Sequence, residues 1–178
     1  MPPIQRSTKP RSHNPSPRLG KTLTPLLALL IASTAAPGQS PRIPDFTFQN
    51  ISDGSPFSRK DIPTGRKTLF VFFDTECPHC RQALITWNAN IASLQGTNTL
   101  LLTMDPPMAA IPFLQNVAPK LVKAKDTRLL FDPNRQFIAR FLPKKYPSMF
   151  LFSPTGELVQ YTDEEKDIPS LIRNIRKK

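Results

Sequence analysis

At 178 residues and 39% hydrophobic content, the chain suits one globular domain and is too short for two well-cored ones. Its formal net charge of +11 is uneven: Arg6, Lys9, Arg11, Arg18 and Lys21 stand in the first forty residues without a single acid, and Arg173, Arg176, Lys177 and Lys178 cluster at the other end, where they read as a solvated helix end that complements the helix dipole. The aromatic residues fall in apolar runs that read as core strands instead of alternating with surface cations, so nucleic acid is not an expected partner.

Residues 1–40 read as a leader. Residues 1–21 are basic, polar and rich in Pro and Ser, residues 23–36 are apolar, and Pro37-Gly38-Gln39-Ser40 follow. That order is the order of a secretory signal peptide, and about fourteen apolar residues fall short of the ~20 that span a bilayer. Export to a periplasmic or extracytoplasmic space is expected, with Ser33 and Ala35 at the small positions before cleavage. An uncleaved leader would leave the protein membrane-anchored, and a mitochondrial-type presequence is the other reading. The folded domain is then 41–178. An exported chain with only two cysteines, three apart, has no disulfide framework, so the pair is read as chemistry.

Along the domain, residues 43–48 alternate apolar and polar, and Asp53-Gly54 signals a tight turn before Pro56-Phe57, which predicts an N-terminal β-hairpin. Residues 68–73 form a continuous apolar run, expected of a strand buried on both faces in the middle of a sheet. From Pro78 to about Leu94, the residues Ala83, Leu84, Trp87, Ile91 and Leu94 keep helical spacing, with Gly96 closing the helix. A strand over 99–104, a break at Asp105-Pro106-Pro107 and a second helix through Ile111, Leu114, Val117, Leu121 and Val122 follow. This order favours a partly parallel sheet with helices on its faces. Then come a short strand at 129–131, a helix from Asn134 to about Phe141 after Asp132-Pro133, and an antiparallel hairpin of 146–152 and 158–161 around Pro154-Thr155-Gly156-Glu157. Asp167 is expected to cap a last helix that carries Ile168, Leu171, Ile172 and Ile175.

The chemistry centres on Cys77-Pro78-His79-Cys80. A strand running into Cys-x-x-Cys at a helix start sets the first sulfur beside unpaired N–H groups and the positive end of the dipole, where thiolate is favoured. Cys77 is the expected attacking thiolate and Cys80, one turn on, the resolving thiol. Pro78 fixes φ and needs no donor, while His79 can bring positive charge or an N–H near the Cys77 sulfur. Both would stabilise the reduced form and make the couple more oxidising, whereas Glu76 opposes the thiolate, so the direction of electron flow stays open. A zinc site would need four N or S ligands, and His13 and His79 are the only histidines; no metal ligand set is expected.

These residues resemble the thioredoxin superfamily, and within it the exported redoxins of the TlpA/ResA type. The resemblance runs from Pro44-Asp45-Phe46 through residues 70–73, the Cys-Pro-His-Cys motif and residues 130–133 to residues 147–157. It implies an α/β thioredoxin-like fold, a central mixed sheet flanked by helices with the N-terminal hairpin added. It implies thiol–disulfide exchange with protein substrates, a redox partner protein that is either soluble or membrane-bound, and no cofactor beyond the redox-active disulfide. It also makes Pro147 the cis-proline facing the dithiol, with the Tyr146 backbone pairing with an extended substrate. The chain departs from the family in two places. Glu76 replaces the usual Trp before the first Cys, and Val71 stands where a buried acid is frequent, which leaves Asp74 and Glu76 as candidate proton relays for Cys80. Two alternatives to the enzyme remain open at this point, a thioredoxin-fold binding or scaffold module that has lost catalysis, and a metal carrier. Peroxidase chemistry fits less well, because Phe70 and Asp74 stand where peroxiredoxins place Pro and Thr.

Overall fold

A computed structural model describes residues 38–177. The leader assigned to residues 1–40 lies almost wholly outside the described residues.

Seven strands form one sheet in the order β2-β1-β5-β4-β3-β6-β7. β3 (Thr68–Phe73), β4 (Asn98–Thr103) and β5 (Thr127–Phe131) run parallel, and β6 (Ser148–Phe152) and β7 (Leu158–Thr162) add antiparallel beyond β3. At the other side β1 (Thr47–Asn50) pairs antiparallel with β5, and β2 (Pro56–Ser58) closes the predicted hairpin with Phe48 opposite Phe57. Gly54 turns that hairpin at φ +72°, a conformation glycine adopts without steric cost, and its N–H reaches Asn50 O at 2.9 Å. The sheet is mixed and flanked by helices in a thioredoxin-like arrangement, as expected.

β3 is buried at every residue, and its two faces feed separate cores. Leu69, Val71 and Phe73 face a layer built from α1 (Pro78–Ala89), α2 (Pro107–Val117), α3 (Pro119–Lys123) and α5 (Ile168–Arg176), whose Leu84, Trp87, Leu114, Leu121 and Leu171 are buried. Phe70 and Phe72 face α4 (Gln136–Phe141) and the N-terminal segment in an aromatic cluster with Phe46, Phe48, Phe137, Phe141, Phe150 and Phe152. Phe137 and Phe141 stack at 4.2 Å, and Phe72 lies 4.6 Å from Phe137. Each fully buried aromatic contributes roughly 1.5–3 kcal/mol by area alone.

The helices differ from expectation in four places. α1 stops at Ala89 and a 3-10 turn, Ile91–Leu94, carries the remaining apolar residues, because the Asn90 side chain donates to Thr86 O at 2.9 Å and competes for the helix's own acceptor. Gly96, at φ +75°, therefore closes the 3-10 turn and not the helix. The second helix is two, parted at Ala118 where Pro119 opens α3. α4 starts at Gln136 and not Asn134, since Arg135 is left-handed (φ 53°), and Asp132 Oδ2 accepts the Phe137 N–H at 2.7 Å. Asp167 occupies the N-cap position of α5 without a capping bond, because Thr162 Oγ1 donates to its carboxylate at 2.8 Å. The basic residues at the far end of α5, Arg173, Arg176 and Lys177, are exposed as the charge pattern implies, and Lys67 Nζ donates to Asn174 O and Ile175 O while Arg176 donates to Ser93 Oγ.

Among the described residues no helix is long and apolar enough to cross a membrane.

Candidate active site

β3 delivers the chain to a tight loop at the C-terminal edge of the parallel strands. Two carboxylates fold that loop. Asp74 Oδ1 accepts the Glu76 N–H at 2.8 Å, and Asp105 Oδ2, from the loop after β4, accepts the Thr75 N–H at 2.7 Å. The chain thereby enters α1 with Cys77 as N-cap and Pro78 at the first helical position, where a missing N–H costs nothing. Cys77 Sγ takes the part that a Ser or Asp oxygen plays at other caps, accepting the Cys80 N–H at 3.3 Å. The backbone thus aims both that donor and the positive helix end at this sulfur.

Both cysteines are free thiols in different surroundings. Cys77 is half-buried, whereas Cys80 is fully buried among Ala83, Leu84 and Trp87. Burial pushes the Cys80 thiol well above its ordinary value; the Asp74 backbone offsets part of this, and Cys77 and the Asp74 charge push it further up. Cys80 is therefore a neutral thiol that needs a base.

The Tyr146-Pro147 bond is cis, and Pro147 is buried at the start of β6. Ser148 is paired with Phe72, so Pro147 lies at the end of β3 that runs on to the dithiol. Tyr146 packs against both cores, with its ring 4.7 Å from Phe72. Its hydroxyl is pushed up to about 12, by burial first and then by the charges of Asp74 and Asp105. Cys77, Pro78, Cys80, Asp74, Tyr146 and Pro147 therefore meet at one edge of the sheet.

His79 and Glu76 stand apart from that group. The His79 side chain is 74% exposed, and its Nδ1 lies 3.4 Å from Glu165 Oε2, so the expected neighbour of the Cys77 sulfur has another partner. Glu76 is exposed, and its side chain makes no hydrogen bond or ion pair among the described residues. Val71 sits in β3 opposite Met149, so no acid occupies the interior beneath α1 at that position.

Beside Cys77 opens a cleft of about 570 Å³, lined by Thr75, Glu76, Pro78 and Arg81 on one side and by Ala109, Pro112, Phe113 and Asn116 of α2 on the other. The Arg81 guanidinium lies 5.1 Å over the Phe113 ring, which stacks in turn on Phe73. Sequence reasoning missed Asp105, Arg81, Phe113 and Glu165. Only Asp105 carried a usable signal, as an acid just past a parallel strand next to β3, because such strand ends share one edge. No three His, Cys, Asp or Glu side chains converge as a metal-ligand set among the described residues.

The AhpC/TSA family matches residues 40–161. No curated protein matches the chain. Among solved structures, a candidate thiol:disulfide interchange protein DsbE from Chlorobium tepidum superimposes with a TM-score of 0.63 at 20% identity, over 79% of this chain and 99% of that one. A secreted Mycobacterium tuberculosis disulfide oxidoreductase homologous to Escherichia coli DsbE gives 0.59 at 15%, over 72% and 95%. The peroxidoxin BcpB of the same organism gives 0.61 at 14%, over 78% and 98%. At these identities the likeness is one of fold.

Proposed function

The chain belongs to the AhpC/TSA family, and from that premise we propose that it is an exported thiol–disulfide oxidoreductase working through Cys77 and Cys80. The observation that carries this reading is the Cys77 sulfur at the N-terminus of α1, accepting the Cys80 N–H at 3.3 Å while Cys80 lies buried beneath it. A negative charge on Cys77 Sγ meets a donor and a dipole; the same charge on Cys80 meets neither water nor a cation.

That asymmetry orders the reaction. The Cys77 thiolate attacks one sulfur of a substrate disulfide, a Cys77–substrate disulfide forms, and the other substrate sulfur leaves as a thiolate. Cys80 then loses its proton to Asp74, its sulfur attacks Cys77 Sγ, and the mixed disulfide breaks to release the second substrate thiolate. Two electrons have passed from the dithiol to the substrate, and the reverse sequence oxidises a substrate dithiol. The electrons reside in the two sulfurs, so no organic cofactor is needed. The Tyr146 backbone before Pro147 offers an edge for strand addition by an extended protein substrate, and a redox partner protein resets the pair. Residues 1–40 act as the export leader.

The test is exchange with a model disulfide. Cys77→Ser abolishes turnover, and Cys80→Ser accumulates mixed disulfides on Cys77. Full activity of Cys77→Ser would end the proposal.

A further inference from the structure

His79 makes no hydrogen bond to Cys77, although it lies between the two cysteines in sequence. Its partner is across the helix interface, on the 3-10 turn Glu165–Asp167 that packs against α1 just before α5. That turn is well fixed: Thr162 Oγ1 donates to Asp167 Oδ2 at 2.8 Å and accepts the Glu164 N–H at 3.1 Å, and the Asp167 N–H reaches Glu164 O at 3.1 Å. Glu165 Oε2 is buried there without a hydrogen-bond partner, and the nitrogen facing it is His79 Nδ1 at 3.4 Å. A buried carboxylate oxygen without a donor is costly, so this position holds the imidazole of His79 against Glu165.

We infer that Glu165 is a positioning residue for the dithiol: it draws the His79 imidazole toward α5 and cancels its charge, so that the Cys77–Cys80 couple is less oxidising than its Pro-His insert alone would make it. This rests on the oxidoreductase reading of the same site. With Glu165 present, an imidazolium brings a paired anion with it, and the net field at Cys77 Sγ is small. Without Glu165, an imidazolium on the turn between the two cysteines carries no paired anion, the thiolate is stabilised, and the reduced form gains. The other charges around the ring do not take over the carboxylate's role. Glu164 also feels His79, but its carboxyl is held down chiefly by the Lys145 ammonium that it binds. Lys145 likewise feels Asp163, Lys166 neighbours Glu164, and Arg81 on α1 is engaged with Phe113.

The experiment compares the full protein with Glu165→Gln, Glu165→Asp, His79→Asn and the Glu165→Gln/His79→Asn pair. One readout is the redox equilibrium with glutathione, and the other is the rate at which iodoacetamide alkylates Cys77, Cys80 being shielded by burial. At pH 6, where histidine is largely charged, Glu165→Gln shifts the equilibrium toward dithiol at least threefold, about 14 mV for a two-electron couple. It speeds alkylation by a similar factor. Both effects fade toward pH 8, Glu165→Asp lies nearer the parent, and neither effect survives in the His79→Asn background. Superimposable alkylation profiles for parent and Glu165→Gln at pH 6 overturn the inference, as does an equal shift without His79. A parent without exchange activity sinks the oxidoreductase reading instead, and alkylation still decides on the pairing.

Discussion

Replacing Asp74 by Asn separates two roles of that carboxylate, because the amide keeps an oxygen for the Glu76 N–H and loses only charge and basicity. The two losses pull in opposite directions. The Asp74 charge helps hold the Cys80 thiol up, so its removal eases ionisation; one pK unit is about 1.4 kcal/mol, or about tenfold in thiolate. Removal of a positioned base costs about 10²–10⁴ in a proton-transfer step. The base term is larger, and the net expectation is resolution of the Cys77 mixed disulfide slowed by about 10- to 1000-fold at pH 7. Stopped-flow release of a fluorescent thiol from that disulfide measures the step in isolation, and the first attack by Cys77 changes by less than about threefold. In the variant, resolution also climbs about tenfold per pH unit toward pH 9, since the free thiolate fraction alone then governs it. Resolution as fast as the parent's, or faster, would refute the relay and leave Asp74 as a charge that merely keeps Cys80 protonated.

Phe137 is fully buried between Phe72 and Phe141, and Phe137→Ala should destabilise the fold by about 3–5 kcal/mol in urea unfolding. Lys67→Met keeps the aliphatic stem but removes the cation from the carbonyls of Asn174 and Ile175; a loss of about 1–2 kcal/mol is expected, with hydrogen exchange rising first in α5. The reduced protein should lose stability as pH rises above about 9, its ordinary thiol value being 9.0. There the unfolded Cys80 ionises while the buried one stays protonated, so the unfolded state binds fewer protons and stability falls, by at most about 1.4 kcal/mol per pH unit from this thiol. The disulfide form lacks that thiol, and denaturant titrations of both forms between pH 7 and 10 should diverge; parallel curves would contradict the burial of Cys80.

What was legible in the sequence was whatever depends on local pattern. Residues 68–73 read as a doubly buried strand because every residue is apolar or small, and both hairpins announced themselves through Asp53-Gly54 and Pro154-Thr155-Gly156-Glu157. Helix ends were less legible. An apolar period continues through Ile91 and Leu94 whether the backbone is α-helical or 3-10, and the decision lies with one Asn90 side chain that takes Thr86 O. Within the site, the dithiol stood out by its own spacing after a buried strand, whereas Asp74 and Pro147 were singled out only through the family resemblance, since an acid or a proline at a strand end is ordinary by itself. Glu165 was not: it is 86 positions from His79 in the chain, in a polar stretch resembling any solvated turn, and only the packing of that turn on α1 gives it a partner.

The departures from the redoxin pattern fit together once the two sulfurs are considered separately. A buried acid beneath the helix would have served Cys80 from below; here Val71 fills that place with hydrocarbon, and the carboxylate whose charge acts on Cys80 is Asp74, held by its own loop. In the proposed exchange a proton passing from Cys80 to Asp74 would exit toward the substrate side, where the departing thiolate of the mixed disulfide needs one. With Glu76 exposed and its side chain unbonded among the described residues, the loop before Cys77 carries its constraint in Asp74 and Asp105, and both act through backbone N–H groups that any residue but proline at 75 or 76 would supply. The Trp-to-Glu difference at 76 leaves these loop bonds unchanged and adds one exposed carboxylate on the same side of the cleft as Arg81.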